Sequence, residues 1–194
     1  MLAANLENWF AKVKRPMPWR RRPSPYVCWL SEIMMQQTTY AAVLPYYERF
    51  LKKFPTVEKL ASAKESEVLK AWEGLGYYSR AKNLKKAAIE ICQTYGGILP
   101  ADYEQLRALP GIGDYTAGAI LSIAFHQPVP AVDGNVLRVL ARYGALEETI
   151  DDPAVKRAAE EALRPIIPPD AAGDFAQSLI ELGAVVCAPN LPPR

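Results

Sequence analysis

The stretch LPGIGDYTAGAILSIAFHQPVPAVDGN, residues 109–135, sets a glycine turn, a small-residue helix and a helix-starting carboxylate in quick succession. In Leu109-Pro110-Gly111-Ile112-Gly113 two glycines come just before a helical run, so backbone N–H groups at a helix N-terminus are left unshielded to meet an anion. A phosphate suits such a concavity. The same pattern also fits an ordinary glycine turn between two helices, and other residues have to choose between these readings. At the far end of the stretch, Asp133 precedes the run VLRVLARYG and reads as an N-cap accepting backbone hydrogen bonds.

Outward from that stretch, apolar residues recur at helical spacing almost throughout, as in LAANLENWFAKV, VCWLSEIMMQQTTYAAVL, SEVLKAWEGL, LKKAAIEIC and FAQSLIELGAVV, and no segment alternates as a strand. The expected fold class is all-α. Ser24-Pro25 and Thr56 read as helix starts, and Gly74, Gly76, Gly96-Gly97 and Gly144 punctuate helix ends. The proline-containing stretch from Gln127 to Pro130 marks a crossing between subdomains, with the single histidine, His126, in the loop before it. No segment approaches the ~20 apolar residues of a membrane span, so no membrane partner is expected and the cytoplasm is the default location. Cys28, Cys92 and Cys187 are odd in number and widely spaced, which argues against a disulfide framework and reads as buried, reduced thiols.

The net charge is only +2 across 194 residues, yet its distribution is uneven. KVKRPMPWRRR (12–22) carries six basic residues in eleven and RAKNLKK (80–86) four in seven, whereas Glu147, Glu148, Asp151 and Asp152 form an acidic run. A basic face binds phosphates without sequence preference, although basic runs also serve as solvated surface.

Two carboxylates stand in contrasting settings. The helix terminus at Asp133 favours a negative charge able to face a developing cation. Glu32 lies in Trp29-Leu30-Ser31-Glu32-Ile33-Met34-Met35, an otherwise apolar helical segment, where burial favours the protonated acid. One carboxyl donating a proton and another stabilising a cation is the arrangement that acid-assisted glycosidic cleavage needs.

From Asn8 to Cys187 the chain resembles the MutY-type adenine DNA glycosylases of the helix-hairpin-helix, endonuclease III superfamily. The segments that carry the likeness are PWRRR (18–22), WLSEIMMQQT (29–38), GLGYYSRAKNL (74–84), LPGIGDYTAGAI (109–120), VDGNVLRVLAR (132–142) and ELGAVVC (181–187). The resemblance implies a two-lobed fold around a DNA-binding cleft: a six-helix barrel over 23–128 containing the hairpin, and a second helical lobe from 1–22 and 129–194, with the catalytic pair at their junction. It implies excision of adenine mispaired with guanine or 8-oxoguanine in double-stranded DNA, by a monomer acting on the chromosome of a bacterial-type cytoplasm. Glu32 would protonate adenine and later activate water, Asp133 would stabilise the oxocarbenium-like sugar, and Asn135 and Tyr115 would support the site by hydrogen bonding. Gln37 and Tyr77 match the residues that wedge into the stack when a base is flipped out; their plainer readings are a surface polar residue and a core aromatic. Arg20, Gly111, Gly113 and Thr116 are implied at the DNA. Bifunctional relatives carry a lysine at the position of Tyr115, and a tyrosine cannot form the Schiff base of a lyase, so the implied enzyme is monofunctional.

The likeness breaks in places. Most members hold a [4Fe-4S] cluster through four cysteines beginning at the position of Cys187, the next of them seven residues on, where this chain has Arg194. With three of the four thiolates absent, no cofactor is expected, which describes either a clusterless member or a chain lacking its C-terminal end. The family's second domain, which reads 8-oxoguanine, has no counterpart here. Asp114 places a carboxylate in the hairpin, where it would repel phosphate, and Met35 stands where leucine is usual. The alternatives are a related helix-hairpin-helix glycosylase for another mismatched or damaged base, and a non-catalytic DNA-binding remnant.

Overall fold

The computed structural model describes residues 2–21 and 23–189. Arg22 and Arg194, which figure in the basic run and in the cluster spacing, lie outside the described residues. The chain divides into two compact units, one over 22–116 and the other over 1–21 with 117–194. Among the described residues every regular element is helical.

The unit over 22–116 holds six complete helices: α1 (Leu2–Val13) of the other unit precedes it, and its own are α2 (Pro25–Met35), α3 (Tyr40–Lys53), α4 (Val57–Ser62), α5 (Glu65–Trp72), α6 (Tyr78–Tyr95) and α7 (Tyr103–Ala108). Their starts follow from local chemistry. Ser24 accepts from the Val27 amide with Pro25 in the first turn, Thr56 accepts from Lys59, and Asp102 accepts from Gln105. The core is packed by Trp29, Leu30, Met34, Phe50, Leu60, Trp72, Leu84 and Ile91, each almost fully buried. Phe50 meets Phe54 and Trp72 edge to face, with centroids 4.8 and 5.8 Å apart.

One expectation changes here. The apolar run from Val27 to Leu44 reads as continuous helix, but it is broken between Met35 and Tyr40, where Gln37 takes a left-handed φ of 53°. Sequence periodicity sees the two helical faces but not what ends the first. The cause is Arg80, whose guanidinium reaches across from α6 and donates to the carbonyls of Ile33, Met34 and Gln36 in place of amides further along the chain. The basic run containing Arg80 also differs from a wholly solvated face: Arg80 and Lys85 are 8% and 7% exposed, and Lys85 donates to the Ala61 carbonyl.

The other unit comprises α1 (Leu2–Val13), a single 3-10 turn at Pro18–Arg20, most of α8 (Asp114–Ala124), α9 (Gly134–Tyr143), α10 (Pro153–Leu163) and α11 (Ala172–Val185). Val132, Val136 and Leu137 pack with Leu163, Phe175 and Leu179 to make its core. Glu181 on α11 is fully buried and fastens the loop that follows α1: its carboxylate accepts from Arg15 Nε at 2.6 Å, Arg15 Nη2 at 3.1 Å and Arg20 Nη2 at 2.9 Å. Burial pushes this carboxyl up, but the hydrogen bonds from Arg15 and Arg20 outweigh it and hold Glu181 below the usual carboxylate range. The cysteines are free; Cys28 and Cys187 are buried, whereas Cys92 is partly exposed, against the reading of three buried thiols. No helix among the described residues is long and apolar enough to cross a membrane.

Removing the Glu181 charge breaks a buried pair whose arginines retain some access to water, so Glu181→Gln is expected to lose about 3 kcal/mol of stability in chemical denaturation at pH 7. Because the folded carboxyl titrates below its unfolded value, wild type keeps this contribution above the unfolded value and loses it as pH falls through the lower folded one. The Gln variant should lack that part of the acid limb.

Candidate active site

Glu32 sits in the third turn of α2, and Tyr115 in the first turn of α8. The Tyr115 hydroxyl donates to Glu32 Oε2 at 2.7 Å, linking residues 83 apart in sequence. One turn on, Gln36 Nε2 donates to Thr116 Oγ1 at 3.4 Å, and Thr116 is buried. The half-buried carboxyl of Glu32 is thus held by a phenol and flanked by Ile33 and Met34 of the core.

The approach to α8 is a helix-turn-helix of the kind expected from LPGIG. α7 ends at Ala108 with Leu109 as its C-cap, the chain turns through Gly111 at φ 81°, and α8 begins at Asp114. A side chain at Gly111 would be strained by that φ and would bring its Cβ to 2.9 Å from the Cβ of Asn83, so the position needs glycine on two counts. Gly113 has no neighbour of that kind. The Asp114 carboxylate is paired with Arg107, which offsets the repulsion it would offer an anion, and Arg107 also donates to the Ile112 carbonyl.

Gln37 and Tyr77 share two properties. Both have left-handed backbones, φ 53° and 48°, a region that costs a non-glycine residue about 1–2 kcal/mol, and both are exposed, Tyr77 by 60%. The core-aromatic reading of Tyr77 is therefore replaced: the left-handed turn after Gly76 carries the ring outward. Together with Ile33, Arg80, Asn83 and Gly111 they line one cavity of about 240 Å³. Arg80 is the residue sequence reasoning passed over. Its signal was available, an arginine three residues after the GLGY turn, but a basic residue within a basic run reads as surface.

In the other unit Asp133 caps α9, accepting from the Val136 amide at 2.9 Å through one oxygen and from Asn135 Nδ2 at 2.7 Å through the other. Asn135 is oriented in turn by Arg138, whose Nη2 donates to Asn135 Oδ1 at 2.8 Å and to the Gly183 carbonyl at 2.7 Å, while its Nε donates to the Cys187 carbonyl. Arg20, expected at the DNA, has its guanidinium engaged by Glu181, Gln177 and the Arg15 carbonyl.

The donors on this chain do not fit a four-thiolate cluster. Cys187 Sγ accepts from Arg142 Nη1 at 3.2 Å, Cys28 and Cys92 are far from it in sequence, and no group of three histidine, cysteine or carboxylate side chains that could hold a metal ion occurs among the described residues.

Residues 30–165 match the family described as HhH-GPD superfamily base excision DNA repair protein. The chain belongs to this superfamily. It is 43% identical to the adenine DNA glycosylase of Rattus norvegicus over 97% of its length and 38% of the relative's. It is 39% identical to that of Buchnera aphidicola subsp. Acyrthosiphon pisum, over 93% and 52%, and 40% identical to that of Mycolicibacterium smegmatis, over 96% and 64%. The chain thus spans less than two thirds of these relatives. Among solved structures it is similar to a thermostable thymine-DNA glycosylase, with a TM-score of 0.87 and 28% identity over 98% of this chain and 88% of that one. It is also similar to endonuclease III in a non-covalent DNA complex, with a TM-score of 0.82 and 26% identity over 98% and 86%. The fold is accordingly the all-α helix-hairpin-helix glycosylase fold.

The Asp133–Asn135–Arg138 chain relies on close approach of α11 to α9. A Cβ at Gly183 would stand 2.6 Å from both the Cβ and the carbonyl oxygen of Asn135. Gly183→Ala is expected to force the helices apart and cost about 2 kcal/mol, measured by chemical denaturation.

Proposed function

We propose that this chain is a monofunctional DNA glycosylase that hydrolyses the N-glycosidic bond of adenine mispaired with guanine or 8-oxoguanine in the chromosome. The observation that carries this reading is the hydrogen bond between Tyr115 and Glu32. It sets a phenol, not an amine, beside the proton donor, and the similarity to adenine DNA glycosylases supports the choice of base. Glu32 passes its proton to a ring nitrogen of the extruded adenine as the carbon–nitrogen bond breaks and its electron pair leaves with the base. Asp133, held by Asn135 and the α9 terminus, stabilises the oxocarbenium-like sugar. Water then adds to the sugar carbon and gives its proton to the Glu32 carboxylate, leaving an abasic site and an unbroken strand.

Adenine must leave the stack to be reached, and in this reading Gln37 and Tyr77 enter the gap it vacates. Exposure and a shared cavity support that role for both. The α7–α8 turn at Gly111 binds backbone phosphate through main-chain N–H groups, as a monomer on duplex DNA. A second reading, excision of a mismatched thymine, draws on the likeness to the thymine-DNA glycosylase structure.

Single-turnover assays on duplexes with adenine opposite 8-oxoguanine, guanine or thymine, and with thymine opposite guanine, test this. Mismatch-selective release by wild type, falling at least about a hundredfold in Glu32→Gln, is expected. Thymine release in its place would favour the second reading, and strand nicking trapped by borohydride would overturn the monofunctional assignment. Gly111→Asp adds strain, bulk and a negative charge at the turn, and it should weaken duplex affinity about tenfold at moderate salt. Wild-type affinity in a titration would refute the clamp.

A further inference from the structure

We propose that Arg80 is the positioning residue that sets the two base-extruding side chains, Gln37 and Tyr77, in place; the proposal rests on the wedge reading of those two residues. Each belongs to a different segment, the loop after α2 and the turn before α6, and neither segment is held by regular helix hydrogen bonds at that point. One guanidinium serves both. Its Nη1 donates to the carbonyls of Ile33 at 3.1 Å, Met34 at 2.8 Å and Gln36; its Nη2 donates to Thr38 Oγ1 at 3.2 Å and to the carbonyls of Leu75 at 3.4 Å and Gly76 at 3.3 Å.

Gln36 and Thr38 bracket Gln37, and Gly76 immediately precedes Tyr77. Three of the six acceptors therefore adjoin the two left-handed residues, and the other three, on Ile33, Met34 and Leu75, lie in the turns leading up to them. Stacked around the same group, the Tyr77 and Trp72 rings each lie 5.4 Å from the guanidinium carbon, and Trp72 Nε1 donates to the Gly76 carbonyl at 3.0 Å. A planar fork bonding to several carbonyls at once, between two aromatic faces, is something an ammonium group cannot reproduce. Arg80→Lys keeps the charge and the aliphatic stem and loses the fork, so it tests position separately from electrostatics.

The probe is 2-aminopurine at the target position opposite 8-oxoguanine, whose fluorescence rises on leaving the stack, compared with the same base in an unpaired bulge. In stopped flow, Arg80→Lys is expected to slow extrusion from the paired duplex about tenfold while binding the bulged duplex with wild-type affinity. Tyr77→Ala should slow extrusion as well, and the double variant should be no slower than the slower single, because both remove the same device. Slowed extrusion together with lost affinity for the bulge would mean a general structural role and overturn the proposal, as would multiplying effects in the double variant. Wild-type extrusion by Arg80→Lys beside slow extrusion by Tyr77→Ala would remove the proposal and leave the wedges standing. Wild-type extrusion by Tyr77→Ala, or no fluorescence rise with wild-type protein, would remove the wedge reading and the proposal with it.

Discussion

The end of α2 at Met35 is a constraint on which the proposed chemistry of this unit depends. Without it the apolar run would continue as helix through Gln37, whose backbone could not then turn left-handed. The chain stops because the Arg80 guanidinium takes the carbonyls that succeeding amides would otherwise use. A buried charge is tolerated at 8% exposure because it is surrounded by acceptors and by the π faces of Trp72 and Tyr77. Burial lowers the affinity of this guanidinium for its proton, with Tyr77 acting in the opposite sense, yet an arginine remains charged across ordinary pH.

The same logic recurs in the unit over 1–21 and 117–194. Glu181 gathers Arg15 and Arg20, and Arg138 gathers Asn135, Gly183 and Cys187. Each cluster joins a helix to a neighbouring segment by placing one planar charged group among several partners. A loop so held loses less freedom on ligand binding than one held by apolar contact alone.

Helix-terminal carboxylates are put to different uses. At Asp133 the cap of α9 uses one oxygen and leaves the other for Asn135, so the structural role does not compete with the catalytic one proposed for it. At Asp114 the charge is paired with Arg107 instead. Capping chemistry alone does not distinguish the two; what differs is the partner that each fold position supplies.

Local rules were enough to read the helical class, the caps at Ser24, Thr56 and Asp133, the turn glycines and the apolar setting of Glu32, because each depends on residues within a turn or two along the chain, whereas Tyr115 and Asn135 were singled out only by the family resemblance of their motifs. What only the tertiary structure decided is where charged side chains point. Arg80, Lys85, Arg15 and Arg20 lie in basic runs that read as a phosphate-binding or solvated face, with Arg20 expected at the DNA, yet each is taken up by carbonyls or carboxylates of the fold, for Arg15 and Arg20 by a residue more than 150 positions away. The outward turn of Tyr77 and the break at Gln37 belong to the same class. Periodicity reports which face of a helix is apolar, whereas the fate of a polar group depends on acceptors that the rest of the fold brings to it.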